Sequence, residues 1–546
     1  MTERRPWSRD LLLLACFCGF FFFFGLGYFG LTGADEPRYA QVAREMLTRF
    51  DWITPTLGGR PWLEKPPLYY WQAMLAYHVF GVTDWVARLP SAFDATFMVF
   101  AIYFFLRRYR PGIELDGALF AASAAAVIGF ARAASTDMPL AAMFTIAMIA
   151  WLGWFESKQK WLLAAFYAFT GFGMLAKGPV SPFLAALIIA CFAFAQRDYR
   201  LIRATLWLPG ILIFCAISLP WYVAVQIKNP EFVKIFILQH NLERFSTNLY
   251  RHAQPFWYYI PVALLALFPW VVFVIAAIYR GIRDWNKRSS QAPSVAGGDS
   301  PELGSNSGAD PFNRFLILWF LLPIFFFSIS RSKLPGYILP AIPAGILLVA
   351  LYVRQSQLLR RKPGIVAAIL HALVATLLLI PAAGASGIIL HHHLLLNHLV
   401  EAAAVLAFIL ALFIIIILKW GPGFPALRLA TLLPALLIVA ALLKTSSAAI
   451  DARFSERLVA TQIEQINHGL PVALFDVRRE TAYGLAFYLN QDFPEYETGQ
   501  LPEGEHILIT REQLTTELQS TIQGRKLLLL GHFAPQHLNY YWISAR

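Results

Sequence analysis

Charged residues and cysteines are both scarce in this chain of 546 residues. Only 14% of the residues are charged, whereas 58% are hydrophobic, a balance that soluble proteins of this size rarely have. The many apolar runs instead predict a polytopic membrane protein. All four cysteines fall inside apolar runs, which excludes a disulfide framework and a cysteine-based metal site; they are Cys16, Cys18, Cys191 and Cys215.

Glycine-rich phosphate-binding loops are also missing. The sequence contains neither GxxxxGK followed by Ser or Thr, nor a GxGxxG after a predicted strand. Their absence argues against ATP-driven transport and against a nucleotide-sugar donor held in a soluble domain. The net charge of +12 does not indicate a nucleic-acid partner, because Lys and Arg cluster in short loops between apolar runs, where they set membrane orientation.

Thirteen apolar runs are predicted to cross the membrane. The first is Phe-rich and lacks a small-residue cleavage site, so we interpret it as a retained helix rather than a signal peptide. With a cytoplasmic N-terminus, the cytoplasmic loops carry most of the Lys and Arg, as expected. The predicted runs are 11–31, 91–106, 117–133, 138–155, 161–176, 179–195, 207–225, 257–279, 314–330, 337–353, 364–390, 399–418 and 428–444.

Two segments differ from the transmembrane part, which is predicted to occupy 1–444. Residues 280–313 read as a cytoplasmic linker, because 289–310 is rich in Ser, Gly and Pro. Residues 445–546 alternate helical and strand-like patterns, which predicts a small soluble α/β domain. Thirteen crossings assign that domain to the outside of the membrane.

The first outer loop, 32–90, contains two predicted interfacial helices. Apolar residues recur at helical spacing in the first of them, at Tyr39, Val42, Ala43, Met46, Leu47 and Phe50. The second, PLYYWQAMLAYHVFG, follows Glu64 and Lys65 and is rich in Tyr and Trp. This arrangement suits a substrate with a lipid tail in the bilayer and a polar head at its surface.

Three carboxylates are candidate catalytic residues. Asp35 and Glu36 directly follow the first run, and Asp137 lies at the same face between two later runs. Helix N-capping is the alternative for both aspartates, since each precedes a proline in a first turn. Two carboxylates from separate elements resemble the acid and base pair of glycosyl transfer.

Basic residues at the outer ends of the runs are candidate phosphate ligands. Each alone is explained as an interfacial cation, but together they suggest a phosphate clamp. Tyr337 adds a hydroxyl donor or belongs to an aromatic belt. Arg38 and Tyr39, beside the acid pair, are assigned to the same site. The basic residues are Lys65, Lys177, Arg244, Arg331 and Lys333.

Histidines offer a weaker signal for a metal. His240 and Glu64 could supply a nitrogen and an oxygen ligand to Zn²⁺, although no closely spaced motif supports this, and a hydrogen-bonding histidine is the alternative. The run His391-His392-His393, with His398, is read as an interfacial polar patch.

Six motifs occur in an order that resembles a known family: ADEPRY, WLEKPPLYYW, STDMP, MLAKG, HNLERF followed by PFWYYIP, and SKLPGYILP. The chain is similar to bacterial GT-C glycosyltransferases of the protein-mannosyltransferase-like superfamily. It most resembles the 4-amino-4-deoxy-L-arabinose lipid A transferases, the polymyxin-resistance enzymes. The resemblance spans nearly the whole chain and implies the GT-C fold with a periplasmic C-terminal domain.

The resemblance also implies residue roles. Asp35 and Asp137 match the family's two periplasmic aspartates. Lys65, Arg244 and Tyr337 match positions around the lipid phosphate. Glu64 and His240, by the same resemblance, match positions that bind a divalent ion, Zn or Mg; no other cofactor is expected.

The implied function is transfer of aminoarabinose from undecaprenyl phosphate to lipid A phosphate at the periplasmic face of the bacterial inner membrane. One alternative is the same fold acting with another polyprenyl-phosphate sugar, such as mannose, on protein or lipopolysaccharide core. A second alternative is a polyprenyl-lipid transporter. A transporter would be expected to have charged residues within its membrane spans, whereas the charged residues of this chain gather at one face.

Overall fold

A computed structural model of the chain describes four stretches, 7–236, 254–289, 311–381 and 393–545, with short gaps in the last at 468, 495, 497–501, 513–517, 519–521 and 523.

Helices dominate the described residues, and we number them in chain order. They are α1 Trp7–Cys18, α2 Asp35–Thr48, α3 Leu68–Phe80, α4 Asp84–Tyr109, α5 Glu114–Ser123, α6 Ala125–Ala131, α7 Asp137–Ser157, α8 Lys160–Lys177, α9 Val180–Gln196, α10 Arg200–Thr205, α11 Leu208–Lys228, α12 Tyr259–Ala266, α13 Val271–Ser289, α14 Pro311–Ile329, α15 Ile342–Leu358, α16 Ile365–Leu377, α17 His393–Lys419, α18 Leu427–Phe454, α19 Arg457–Ile466 and α20 Arg479–Leu489.

The chain is a multi-pass membrane protein. Within the described stretches, seven helices are long and apolar enough to cross a bilayer, or up to nine if each of two bent helix pairs is one span. The predicted runs 117–133 and 257–279 correspond to those bent pairs, which turn by 64° and 115°. The count of thirteen crossings therefore stays a prediction.

The first predicted run is not one continuous helix. After α1, a π-helical turn spans Gly19–Phe23, and the chain then leaves helical geometry at Gly25, whose φ is +69°. The carbonyls freed at this end are satisfied by Arg132, which donates to Phe24 O at 2.8 Å and to Gly25 O at 2.9 Å. An uncapped helix end would leave buried carbonyl groups unpaired, so Arg132 explains why the chain can turn here.

Helix α7 lies at the centre of the bundle. It packs against α4 and α8, and almost all of its membrane-length window is buried. Trp151, near its middle, is fully buried and stacks on Phe315 of α14 with ring centroids 4.9 Å apart. Because α7 is fixed on several sides, Asp137 at its first residue has a well-defined position.

Small residues let α8 and α11 approach closely. A Cβ added to Gly210 would lie 2.2 Å from the Tyr167 ring, and one added to Gly171 would lie 3.2 Å from Ile217. Close backbone approach at small residues is how helices associate in lipid, where apolar burial gives little driving force. These contacts fix the end of α8, and Lys177 with it.

Both predicted helices of the first outer loop are present, as α2 and α3, and their interfacial position stays a prediction. The apolar positions Tyr39, Val42, Ala43 and Met46 of α2 are buried, as their spacing indicates, whereas Phe50 is exposed. The polar residues Arg38 and Gln41 are buried as well. The reason is that α20, from the C-terminal segment, also packs on α2.

A two-stranded hairpin joins α2 to α3. Strands β1 (Thr56–Leu57) and β2 (Arg60–Pro61) pair across Gly58 and Gly59, which have φ of +62° and +69°, a conformation that glycine adopts without strain. The Glu45 carboxylate of α2 accepts hydrogen bonds from Thr56 Oγ1 at 2.6 Å and from the Gly58 N–H at 2.9 Å. The hairpin is thereby tied to α2.

The C-terminal segment contains a four-stranded sheet. Its strands β3 (Val472–Phe475), β4 (His506–Arg511), β5 (Leu527–Phe533) and β6 (Leu538–Ile543) lie in the order β3-β4-β6-β5, with β3 and β4 parallel and the other pairs antiparallel. The predicted helices and strands of this segment are present as α19, β3, α20, β4 and β5. Strand β6 was not predicted, although the branched and aromatic residues in LNYYWI favour a strand. The domain boundaries themselves stay predictions.

Candidate active site

Glu36 is buried in an ion pair with Arg88 of α4. The Arg88 Nη2 lies 2.7 Å from Glu36 Oε2, and its Nε lies 3.0 Å from Oε1. Backbone N–H groups of Thr32 and Ala134 donate to the same carboxylate at 2.8 and 2.7 Å. Burial alone would raise the pKa of Glu36, but the charge of Arg88 and these hydrogen bonds hold it below its ordinary value.

This arrangement gives Glu36 a structural task. Arg88 also donates to the carbonyls of Leu26, Phe29 and Gly30 at 2.7 to 2.8 Å, so the pair holds the loop that leads into α2. With both oxygens engaged and the side chain buried, Glu36 has no face for a substrate. We therefore assign it to positioning Asp35 rather than to the catalytic group predicted from sequence.

Asp35, by contrast, faces solvent. It is the first residue of α2, whose N-cap residue Ala34 makes no side-chain capping hydrogen bond. The Asp35 side chain is 54% exposed and pairs with Arg38, one turn further along the helix. Asp35 therefore does not act as the N-cap of α2. Its carboxylate lies at the surface of the site and is oriented by Arg38.

Arg38 is buried among three aromatic rings. Its guanidinium carbon lies 5.1 Å from the ring centroids of Tyr39 and Trp62 and 5.7 Å from that of Tyr483. Burial opposes the charge, but Tyr39, Asp35 and Glu64 hold the pKa of Arg38 above its ordinary value. The guanidinium stays charged and fixes Asp35.

Tyr39 is affected by the charges of both predicted catalytic aspartates. Its side chain is buried, and burial together with the negative charges of Asp35 and Asp137 raises its pKa, while Arg38 opposes the rise. Both carboxylates are therefore within electrostatic reach of one phenol group. The structure thus links Asp35 and Asp137 through Tyr39, and their catalytic roles stay predictions.

Asp137 pairs with Lys177, from the last turn of α8. Like Asp35, it is the first residue of its helix, and the N-cap residue Thr136 makes no side-chain capping bond. The Lys177 Nζ also lies 5.0 Å from the ring centroid of Tyr337. A Cβ added to Gly336 would lie 2.6 Å from Asp137 Oδ1, so any larger residue there would displace the Asp137 carboxylate.

Lys333 and Arg331 lie beside a cavity of about 380 Å³ next to the loop after α14. The ammonium of Lys333 donates to Gln254 O at 2.9 Å and to Ser330 O, so part of its donor capacity is used on the backbone. Arg331 is exposed. The cavity is lined by Gln254, Phe256, Ser328, Ile329, Ser330, Arg331 and Lys333.

Some of the predicted site residues lie outside the described part of the chain. They are Arg244, His240, His391, His392 and the side chain of His393. The exposed His398 lies 3.6 Å from Glu401 Oε2.

Glu64 and Lys65 follow the hairpin and are half-buried, and the charge of Glu64 acts on Arg38 and on Tyr70. No group of three His, Cys, Asp or Glu side chains that could hold a metal occurs within the described part of the chain. The predicted Glu64 and His240 pair stays a prediction.

Sequence reasoning missed Arg88, Trp62 and Tyr483. An arginine inside an otherwise apolar helix is costly and usually has a partner, so Arg88 was identifiable as significant, though not its partner. Trp62 and Tyr483 gave no such signal, because aromatic residues are common at membrane faces and in soluble domains alike.

Comparisons with known proteins show what the chain as a whole is similar to. Residues 64–223 match the family model described as dolichyl-phosphate-mannose-protein mannosyltransferase. An undecaprenyl phosphate-alpha-4-amino-4-deoxy-L-arabinose arabinosyl transferase of Pseudomonas fluorescens is 31% identical over 352 residues, which are 63% of this chain and 55% of that protein. One from Serratia proteamaculans is 30% identical over 371 residues, 66% of this chain and 62% of that protein. The chain thus spans less than two thirds of the length of these relatives.

The fold is shared with a solved structure. The crystal structure of ArnT from Cupriavidus metallidurans bound to undecaprenyl phosphate superimposes with a TM-score of 0.76 over 98% of both chains, at 20% sequence identity. The apo structure of the same protein gives the same values. The GT-C fold expected from the motifs is therefore confirmed.

Proposed function

We propose that this chain is a membrane glycosyltransferase of the undecaprenyl phosphate-aminoarabinose arabinosyl transferase family, within the GT-C superfamily. Its proposed reaction moves 4-amino-4-deoxy-L-arabinose from undecaprenyl phosphate to a phosphate of lipid A. The observation that carries the proposal is the convergence of two carboxylates, Asp35 and Asp137, on Tyr39, each paired with a basic side chain.

The bonds exchanged require no external energy source. An oxygen of the acceptor phosphate attacks the anomeric carbon of the sugar. The bond between that carbon and the donor phosphate oxygen breaks, and undecaprenyl phosphate leaves. The sugar–phosphate bond of the donor is already activated, so the lack of a nucleotide-binding motif is consistent with this chemistry.

Basic side chains stabilise the negative charge of the departing phosphate. Lys177 is held by Asp137 and lies over the Tyr337 ring, and by the family resemblance Lys65, Tyr337 and Arg244 surround the lipid phosphate. Preorganised charge is most effective where negative charge develops in the transition state. We assign this role to Lys65 and Lys177, with Asp137 orienting the lysine.

Asp35 acts on the acceptor side. The second pKa of a phosphate monoester is about 6, so at neutral pH the acceptor needs little help from a base. We therefore assign Asp35 to orienting the acceptor or the sugar amine and to stabilising positive charge on the sugar ring. Were the acceptor a hydroxyl group, the same carboxylate would serve as a general base.

The membrane arrangement follows from the same proposal. The site and the C-terminal domain lie on the periplasmic side of the bacterial inner membrane, where lipid A is exposed, and the donor enters laterally from the bilayer. The positive-inside distribution of Lys and Arg supports this orientation.

The match to the mannosyltransferase model over 64–223 favours a second candidate, transfer of mannose or another sugar to protein or lipopolysaccharide core. Reconstituted chain supplied with lipid A and with undecaprenyl phosphate carrying either aminoarabinose or mannose distinguishes the two. We expect release of undecaprenyl phosphate from the aminoarabinose donor, dependent on lipid A. Turnover of the mannose donor alone would favour the second candidate.

A further inference from the structure

The C-terminal segment reaches the candidate site through α20. This helix packs on α2, and its Tyr483 presents its ring to Arg38, with 5.7 Å between the guanidinium carbon and the ring centroid. Arg38 in turn holds Asp35. A residue more than four hundred positions along the chain therefore lies one side chain away from the carboxylate assigned to sugar transfer.

The aromatic rings around Arg38 help to orient its guanidinium group. Arg38 is buried, and its Nε has no hydrogen-bond partner within the described part of the chain. Its orientation therefore depends on the ion pair with Asp35, on a hydrogen bond of 3.5 Å from its Nη2 to the Tyr39 hydroxyl, and on attraction to the rings of Tyr39, Trp62 and Tyr483. Tyr39 is on the same helix and Trp62 follows the hairpin, so Tyr483 is the one ring from the described part of the C-terminal segment that constrains the guanidinium.

We propose that Tyr483 is a positioning residue for the transfer reaction. Its ring fixes the Arg38 guanidinium, and through Arg38 it fixes the Asp35 carboxylate toward the substrate. The C-terminal segment is thereby part of the active site rather than an appended domain. This inference rests on the proposed function, because it assigns Tyr483 to the site that performs it.

Separate contacts dock the same helix, and they supply a control. Arg44 of α2 donates to Phe487 O at 2.7 Å and to Asn490 Oδ1 at 3.0 Å. The Leu31 N–H donates to the Tyr488 hydroxyl at 2.7 Å. None of these contacts involves Arg38, and several of them hold α20, so we expect the loss of one contact to leave the helix, and Tyr483 with it, in place.

The kinetic test compares three variants of the full chain in reconstituted membranes. Tyr483→Ala is expected to lower kcat roughly ten- to a hundredfold, the range that small misplacements of reacting groups produce, with little change in KM for the donor. Tyr483→Phe keeps the ring and is expected to restore most of kcat. Arg44→Ala removes one of several docking contacts and none of the contacts of Arg38, so its kcat is expected to stay close to that of the parent.

A double-mutant cycle tests the route of the effect. If Tyr483 acts through Arg38, Tyr483→Ala has no further effect in an Arg38→Ala background. Equal losses in both backgrounds, or a loss in Arg44→Ala as large as in Tyr483→Ala, would overturn the positioning role. A parent chain that transfers no sugar would instead contradict the proposed function.

A second assay needs no sugar transfer. In an Asp35→Cys chain, the neighbouring guanidinium stabilises the thiolate, so alkylation by a charged, membrane-impermeant reagent reports on the position of Arg38. We expect Tyr483→Ala, but neither Tyr483→Phe nor Arg44→Ala, to shift the pH profile of alkylation upward. An unchanged profile in Tyr483→Ala would overturn the inference whether or not the chain is active.

Discussion

Arg88 donates hydrogen bonds to both carboxylate oxygens of Glu36, from Nη2 to Oε2 at 2.7 Å and from Nε to Oε1 at 3.0 Å. The two residues stand on different helices, and the pair joins the start of α2 to the start of α4. Through its other donors Arg88 also holds the loop carbonyls before Asp35. The exposed carboxylate of Asp35 is thus oriented by a buried one beside it.

Glu36→Gln is expected to destabilise the protein strongly. The amide leaves the Arg88 guanidinium buried without a counter-charge, which typically costs about 3–5 kcal/mol. A thermal unfolding scan of the full chain in detergent measures the effect. The control is Glu156→Gln. Glu156 also pairs with an arginine, Arg110, but the side chains of Glu156 and Arg110 are 23% and 21% exposed. Loss of such a pair is expected to lower the free energy of unfolding by about 1 kcal/mol or less. Equal shifts in the two variants would contradict the structural role of Glu36.

Asp35→Asn is expected to abolish most of the transfer activity while the chain stays folded. The amide keeps the shape of the side chain but loses the charge that pairs with Arg38. Initial rates with acceptors of different pKa separate its roles. A loss that is similar for all acceptors indicates orientation and charge stabilisation, and a loss that grows with acceptor pKa indicates a general base.

The control for Asp35→Asn is Asp51→Asn, at the other end of α2. Asp51 accepts hydrogen bonds from the Ile53 and Thr54 N–H groups and is not one of the carboxylates assigned to the site. Asp51→Asn should therefore change the stability of the chain rather than kcat. Near-full activity of Asp35→Asn would refute both roles given to Asp35.

Gly336→Ala is expected to lower kcat by roughly a hundredfold, because a displaced catalytic group costs about that much. The new methyl group would lie 2.6 Å from Asp137 Oδ1 and would push this carboxylate away from Lys177. Gly364→Ala is the matched control, since a Cβ there meets no heavy atom within 4 Å. The measurement is kcat of both variants with saturating donor. Equal kcat values would mean that the close packing of Gly336 on Asp137 is not needed for activity.

Glu456 predicts a pH dependence of stability. Burial raises its pKa from 4.5 to about 8, while a hydrogen bond with Thr481 opposes the rise. The folded chain therefore keeps a proton that the unfolded chain releases, so stability falls as pH rises between these values, by up to about 1.4 kcal/mol per pH unit.

Thermal scans at several pH values check this. Glu456→Gln should flatten the fall between pH 5 and 8, relative to the parent, by removing the titrating group, whereas Glu464→Gln, at an exposed position of α19, should not. Parallel curves for the parent and Glu456→Gln would show that Glu456 is not protonated in the fold.

The parts of the fold that follow local patterns were predictable. The stripe from Tyr39 to Met46 has helical spacing, and α2 buries those positions because the spacing itself defines one face. Helix α3 and most elements of the C-terminal segment followed from the same kind of signal. The first apolar run was misjudged because hydropathy alone does not show where Arg132 caps its carbonyls.

The candidate site was predictable only as a set of residues. Asp35, Asp137 and Lys177 were identified from their places at the ends of apolar runs. The contacts that orient them were not, because Glu36 with Arg88, and Arg38 with Tyr483, join segments far apart in sequence and leave no local periodicity. For the same reason, the sequence could not show that Glu36 is engaged on both oxygens while Asp35 is free to face a substrate.

Mass spectrometry of lipid A tests the central claim most directly. The host would lack its own transferase but supply undecaprenyl phosphate-linked aminoarabinose, and would express this chain or its Asp35→Ala variant at equal membrane levels. We predict aminoarabinose on a lipid A phosphate with the parent chain and none with the variant. Unmodified lipid A despite good membrane expression of the parent would contradict the account.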